Sequence, residues 1–211
     1  MTASRKTLLG GVAVLAFLAA GATAVLLMKP APAVVHSPQA IGGPFKLKTG
    51  RGDIVTERDF RDKWLLVYFG YTHCPDICPT TLAEVVQTID LLGAAGAGVQ
   101  PLFITIDPER DTPDVMDAYV KALDARIIGM TGTPAEIAAA AKGYKVHYAK
   151  MESKSGNGRD YQMEHSSFVY VMGPDGRYVT LFTPGAGQAP DQMALKLGEL
   201  ISQSRAEKSA R

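Results

Sequence analysis

The chain has 211 residues, of which 46% are apolar, enough for one globular domain with a remainder to account for. Its 22 basic and 21 acidic side chains nearly cancel and form no basic stripe, which argues against nucleic-acid binding. Two cysteines exclude a disulfide-rich scaffold.

Residues 1–6 form a short N-terminus holding Arg5 and Lys6, and residues 7–28 then run without a charge from Thr7 to Met28. Such a run is long enough for a membrane-spanning helix, which needs about 20 residues. It is longer than the apolar core of a cleaved signal peptide, about 7–15 residues. Ala31-Pro32-Ala33 has the A-x-A form of a cleavage site, but with proline inside it, so an uncleaved anchor is expected. Arg5 and Lys6 precede the run and only Lys29 closely follows it, which places the N-terminus in the cytoplasm and the remainder across the membrane. Residues 29–43, rich in Pro, Ala and Gly, read as a linker, and His36 within it as a solvated side chain. One domain is expected over 44–204, with a frayed charged tail over 205–211.

Gly43 to Leu47 and Ile54-Val55, separated by Thr49-Gly50-Arg51-Gly52, predict a β-hairpin at the domain's start. Phe60 and Trp64 read as packing residues. Trp64-Leu65-Leu66-Val67-Tyr68-Phe69 is short, aromatic and β-branched, and predicts a buried strand. Tyr71 to Pro79 follows as a tight loop holding both cysteines, Cys74 and Cys78. A helix is then expected from about Thr80 to Leu92, with Pro79 in its first turn and Gly93 at its end. Leu102 to Ile106 is the next strand, and a strand–helix–strand unit of this length implies a parallel pair. Asp107-Pro108-Glu109-Arg110-Asp111 opens a loop at that strand's C-terminal end, the edge at which open α/β sheets bind ligands. This loop and the thiol loop should be neighbours. Asp107, Arg110 and Asp111 read either as a local salt-bridged turn or as residues behind the thiols or a docking surface beside them, and not as metal ligands.

Thr112-Pro113 caps a helix to about Leu123, and Ile127 to Met130 is a short strand. Thr133 and Glu136 form a capping box for a helix that Gly143 should stop. Val146 to Lys150 alternates as a strand, and His147 in it reads as a surface histidine. Residues 153–160 are polar and Gly-rich, an exposed loop. His165 stands at its end, before the strand Ser167 to Met172; Gly173-Pro174-Asp175-Gly176 turns the chain into a strand over Tyr178 to Phe182. An amphipathic helix from Pro190 to Ser204 closes the domain.

The thiol loop carries the chemistry. Unpaired N–H groups at a helix start favour a thiolate over a thiol. Spaced four apart, two sulfurs can converge on one metal ion or on each other. A purely structural disulfide is disfavoured, because closing so small a ring removes little entropy from the unfolded chain. Asp76 between the cysteines disfavours a thiolate and helps a cationic metal. His73 reads as an exposed bystander, with two functional alternatives: a cation lowering the Cys74 pKa, or a further ligand.

Phe69-Gly70-Tyr71-Thr72-His73-Cys74-Pro75-Asp76-Ile77-Cys78-Pro79 closely resembles the signature of the Sco/SenC proteins, membrane-anchored copper proteins that help assemble cytochrome c oxidase. Two further stretches match in order, Asp107 to Thr112 and His165 to Tyr170 with Gly173 to Gly176, so the resemblance spans roughly residues 40 to 203. Glu164 departs from it, standing before His165 where the family often carries Asp. The resemblance implies an α/β thioredoxin-like fold: a mixed central sheet flanked by helices, an N-terminal β-hairpin and one N-terminal transmembrane helix. It implies a copper ion held by Cys74, Cys78 and His165. On the residues alone, two thiolates and an imidazole suit copper in either oxidation state or zinc. A structural zinc site would want a fourth ligand, which this pattern does not offer.

The function so implied is a copper metallochaperone serving the copper-site subunit of cytochrome c oxidase, loaded by a copper donor and kept reduced by a thiol reductant. It would lie in the periplasm, or in the mitochondrial intermembrane space of a eukaryote. The competing function is a thiol–disulfide oxidoreductase using Cys74 and Cys78, for which His165 is not required. A copper or redox sensor would use the same residues. A thiol peroxidase would need an activating arginine that the loop itself lacks.

Overall fold

The strand β3 (Trp64–Gly70) is buried at all seven positions. A strand covered on both faces needs a continuous apolar run rather than an alternating one, and Trp-Leu-Leu-Val-Tyr-Phe supplies it. A computed structural model describes residues 41–151, 161–185 and 187–210. The expected anchor over 7–28, the linker up to residue 40 with His36, and the loop 152–160 lie outside the described residues. Among the described residues no helix is long and apolar enough to cross a membrane.

The element order around β3 begins with β1 (Lys46–Thr49) and β2 (Ile54–Thr56). These pair antiparallel, as the hairpin expectation requires. Gly52 takes φ +90° in the turn between them, a conformation that favours glycine. After β3 come α1 (Ile77–Leu91), β4 (Val99–Thr105), α2 (Pro113–Leu123), β5 (Ile128–Thr131) and α3 (Pro134–Tyr144). The rest comprises β6 (Tyr148–Met151), β7 (Gln162–His165), β8 (Val169–Met172), β9 (Tyr178–Phe182) and α4 (Pro190–Ser209). Seven strands form one mixed sheet in the order β2-β1-β5-β4-β3-β8-β9. The strands β3, β4 and β5 run parallel, while β8 lies antiparallel on the other side of β3. The remaining two strands, β6 and β7, pair only with each other.

Successive side chains of a strand face opposite ways, and the ring contacts show the two layers that result. The Tyr68 ring stacks on Phe103, which stacks on Tyr119 of α2. Phe69 meets Tyr144 of α3 and Tyr170 of β8. Phe69 has no exposed surface, so Phe69→Ala is expected to destabilise the domain by about 3–5 kcal/mol. A denaturant melt of the reduced protein checks this as a lower midpoint with unchanged slope.

Both capped helix starts appear as expected. The Val115 N–H donates to Thr112 Oγ1 over 3.4 Å, and Thr133 and Glu136 close a reciprocal capping box. Four details differ from the sequence expectation. The first helix begins at Ile77, three residues early, because Pro79 fits inside the first turn where its missing N–H is not needed. Gly93–Gly98 is a 3₁₀ turn rather than a plain stop. Gly143 does not end α3; Lys145 does, at φ +59°. What Gly143 provides is close approach: its carbonyl accepts from Gly42 N–H over 3.0 Å, and an added Cβ would meet Gly42 O at 3.4 Å. Finally, the closing helix continues to Ser209, so the expected frayed tail is helical through that residue.

Candidate metal centre

The strands β3 and β4 pair in register, Gly70 opposite Thr105, and both chains leave the sheet at the same edge. The Ile106 N–H donates to Gly70 O over 2.8 Å and holds the two exits together. The thiol loop and the loop beginning at Asp107 are therefore neighbours, as expected. Within the thiol loop, Cys74 N–H donates to Tyr71 O over 3.3 Å, and Cys78 N–H donates to Cys74 Sγ over 3.3 Å. The turn curls the Cys74 sulfur onto the start of α1, whose first turn contains Cys78.

The two sulfurs differ. Cys78 has no exposed surface, while Cys74 is half-buried, and neither is in a disulfide. A hydrogen bond from the Cys78 thiol, helped by the Cys78 and Asp76 backbone N–H groups, lowers the Cys74 pKa to about 5 against the opposing effect of burial. The same hydrogen bond and burial push the Cys78 thiol upward. One proton is shared by the pair, carried on Cys78 and pointed at Cys74.

His165 ends β7 opposite Tyr148. Its Nδ1 lies 3.1 Å from Ser166 O, which can only accept, so Nδ1 carries the proton and Nε2 keeps its lone pair. That Nε2 lies 3.6 Å from Cys78 Sγ. The rings of Tyr68 and Tyr71 hold the imidazole by their edges, each centroid 6.0 Å away. The donor atoms of Cys74, Cys78 and His165 all lie within 4.8 Å of one another. An open cleft of about 320 Å³ between the thiol loop and β7 reaches Cys74 and His165, with Cys78 buried behind them, and is lined in part by Asp76, Ile77, Met163 and Glu164.

Two soft sulfurs and one imidazole on an open cleft fit a soft or borderline ion held by three protein donors. They do not fit a closed structural zinc site, which takes four. Among the described residues this is the group of His, Cys, Asp and Glu side chains placed to hold a metal.

The other candidates stand apart from the three donors. His73 is exposed, its Nδ1 3.1 Å from Thr72 Oγ1 and 3.8 Å from Asp111 Oδ1. His147 is exposed and touches the site only through its backbone, which exchanges hydrogen bonds with Ser166. Asp111 is fully buried and accepts from Thr72 N–H, Thr72 Oγ1 and Thr105 Oγ1 at 3.0, 2.6 and 2.6 Å. Asp107 pairs with Arg110 and accepts from the Tyr161 hydroxyl over 2.7 Å. Both readings of this loop therefore hold: it is a salt-bridged turn, and it grips the thiol loop.

Two residues near the sulfurs had no sequence expectation. The Tyr68 hydroxyl donates to Cys78 Sγ over 3.6 Å, and burial pushes that phenol upward. Gly70 makes room for the thiol: a Cβ there would lie 2.8 Å from Cys78 Sγ and 2.9 Å from Phe103 Cε2. Strand alternation could have found both, since positions 68 and 70 share the face that looks toward α1.

A mixed sheet with flanking helices and a Cys-x-x-x-Cys loop at a helix start define a thioredoxin-like protein with a soft-metal donor set. The chain belongs to the SCO1/SenC family, whose profile matches residues 34–202. The "Protein SCO1 homolog, mitochondrial" of Homo sapiens is 40% identical over 144 residues, covering 67% of this chain and 47% of its own length. A SCO2-like protein of Rickettsia prowazekii is 39% identical over 142 residues, covering 67% of this chain and 69% of its own. The crystal structure of Arabidopsis thaliana ScoI with copper bound superposes with a TM-score of 0.72 at 40% identity, over 78% of this chain and 99% of that one. The chain spans about half the length of the mitochondrial relatives it matches.

Proposed function

We propose that this protein is a membrane-anchored copper metallochaperone. It carries one copper ion on Cys74, Cys78 and His165 and delivers it to the binuclear copper centre of a cytochrome c oxidase subunit. The observation that carries the reading is the convergence of two sulfurs and an imidazole within 4.8 Å of one another, two of the three lining an open cleft. Copper in the Arabidopsis relative supports the choice of ion, and the resemblance to Sco/SenC proteins supports the recipient. The cargo reaches the donors through the cleft, and a partner's own soft ligands can reach it the same way. Residues 7–28 anchor the chain with the N-terminus inside, and residues 44–204 work in the periplasm or the mitochondrial intermembrane space. A copper donor and a thiol reductant complete the set of partners.

Anaerobic copper titration of the reduced full-length chain tests the reading, followed by transfer to a metal-free oxidase copper-site subunit. One ion per chain that moves to the subunit is expected. Copper(II) binding that ignores His165 would remove the chaperone reading. Gly70→Ala should weaken copper binding about tenfold or more by displacing Cys78 Sγ. It should also destabilise the domain by about 1–3 kcal/mol through overpacking. The same titration and a denaturant melt measure the two effects.

A second reading has its own support in the asymmetry of the thiols. A half-buried low-pKa thiolate beside a fully buried thiol is the arrangement of an attacking and a resolving cysteine. Cys74 would attack a partner's disulfide. Cys78 would then release the reduced partner, leaving a Cys74–Cys78 disulfide and giving up two electrons. His165→Ala separates the readings, since thiol exchange survives that change and copper(II) holding does not.

A further inference from the structure

The two segments that carry the donors do not belong to one sheet. The cysteines follow β3 of the main sheet, whereas His165 lies on the separate β6–β7 pair. Side-chain contacts must fix the distance between them: the Tyr71 ring meets His165 directly, and Arg110 reaches the entry to β7. Arg110 Nε pairs with Asp107, and its Nη1 donates to Tyr161 O over 3.0 Å, at the residue where the chain enters β7. Its guanidinium carbon stands 3.6 Å from the Tyr161 ring centroid and 5.8 Å from the Tyr71 ring centroid. Tyr71 leads into the thiol loop, and its ring meets the His165 ring at 88°. The Lys150 ammonium of β6 lies 3.8 Å from the same Tyr161 ring, and the Tyr161 hydroxyl returns to Asp107. The Arg110 side chain is only 17% exposed, so these contacts are made largely out of water, where they are strongest.

We infer that Arg110 is a positioning residue: the strut that sets the separation between the thiol loop and His165, acting on the metal only through the histidine. The inference rests on the copper reading above. Only arginine satisfies the geometry, because its planar fork bonds Asp107 and the Tyr161 carbonyl at once while its face lies on an aromatic ring. Lysine keeps the cation but not the fork. Copper(I) is held well by the two sulfurs, whereas copper(II) needs the imidazole for a tetragonal field. Loss of the strut therefore shows itself in the copper(II) state.

The experiment is a double-mutant cycle on the full-length chain: wild type, Arg110→Ala, His165→Ala and both together, read by copper(II) affinity and by the nitrogen hyperfine pattern of the copper(II) electron paramagnetic resonance spectrum. Arg110→Ala alone should weaken copper(II) about tenfold or more and blur the nitrogen pattern. Arg110→Lys should recover part of both. In the His165→Ala background, Arg110→Ala should change affinity less than about twofold. An unchanged spectrum in Arg110→Ala, or an equal loss with and without His165, overturns the strut. Should Arg110→Ala fail to fold, the cycle run with Arg110→Lys is judged by the same criteria. A His165→Ala chain that binds like wild type overturns the copper reading itself, an outcome the Arg110 arms cannot produce.

Discussion

The Cys74→Ser/Cys78→Ser chain is expected to lose copper affinity by on the order of a thousandfold or more, and His165→Ala to lose it mainly for copper(II). The reason lies in what each donor supplies. The sulfurs are the soft ligands, and one of them already carries negative charge in the metal-free protein, since Cys74 titrates at about 5. The ion must displace only the proton on Cys78, so binding should release protons and tighten as pH rises. The imidazole is oriented with Nδ1 toward Ser166 O, which leaves Nε2 facing Cys78 Sγ. Competition with a chelator, repeated at several pH values, measures these effects. Equal affinity in the double serine chain would mean that copper binds elsewhere.

Alkylation of the metal-free protein should find Cys74 fast and Cys78 inert across the neutral range. The thiolate is the nucleophile, and the Cys74 value is depressed from an ordinary 9.0 to about 5. Its rate should therefore stay nearly flat from about pH 9 down to about pH 6. It should then fall about tenfold per unit once pH drops below about 5. An ordinary thiol would show that fall beginning near 9. Cys78, raised and without exposed surface, should remain unlabelled until the domain unfolds. Peptide mapping after timed iodoacetamide exposure resolves the two. Cys78→Ala should shift the Cys74 profile upward, because the hydrogen bond that lowers it is gone. A Cys74 profile rising through pH 8–9 in the unsubstituted chain would contradict the shared proton.

Much of this was legible in the chain because local chemistry and global fold agree. The run Trp64 to Phe69 can only be a buried strand, and Pro79 after two closely spaced cysteines can only open a helix. The N-cap at Thr112 and the capping box at Thr133 announce themselves by residue type. What stayed hidden depends on contacts remote in sequence. Residues 162–165 alternate too weakly to declare a strand and become one only through Tyr148 to Met151. Gly143 resembles a helix stop until Gly42, a hundred residues earlier, is seen pressed against it. Tyr68 looked like one more core aromatic; its hydroxyl matters because Cys78 lies beneath it. The roles of Asp111 and Arg110 could not be divided on sequence, since each is defined by what it holds: Thr72 and Thr105 for one, Tyr161 and Tyr71 for the other.

The separate pairing of β6 with β7 has a kinetic consequence. Backbone hydrogen bonds are the units in which a protein opens locally, and the hairpin shares none of its ladder with the seven-stranded sheet. It can swing or fray while the sheet stays intact. The candidate donor set therefore straddles two separately hydrogen-bonded pieces, two donors on one and one on the other. On the proposed copper reading, the residence time of a bound ion would be set by local opening of the hairpin rather than by global unfolding.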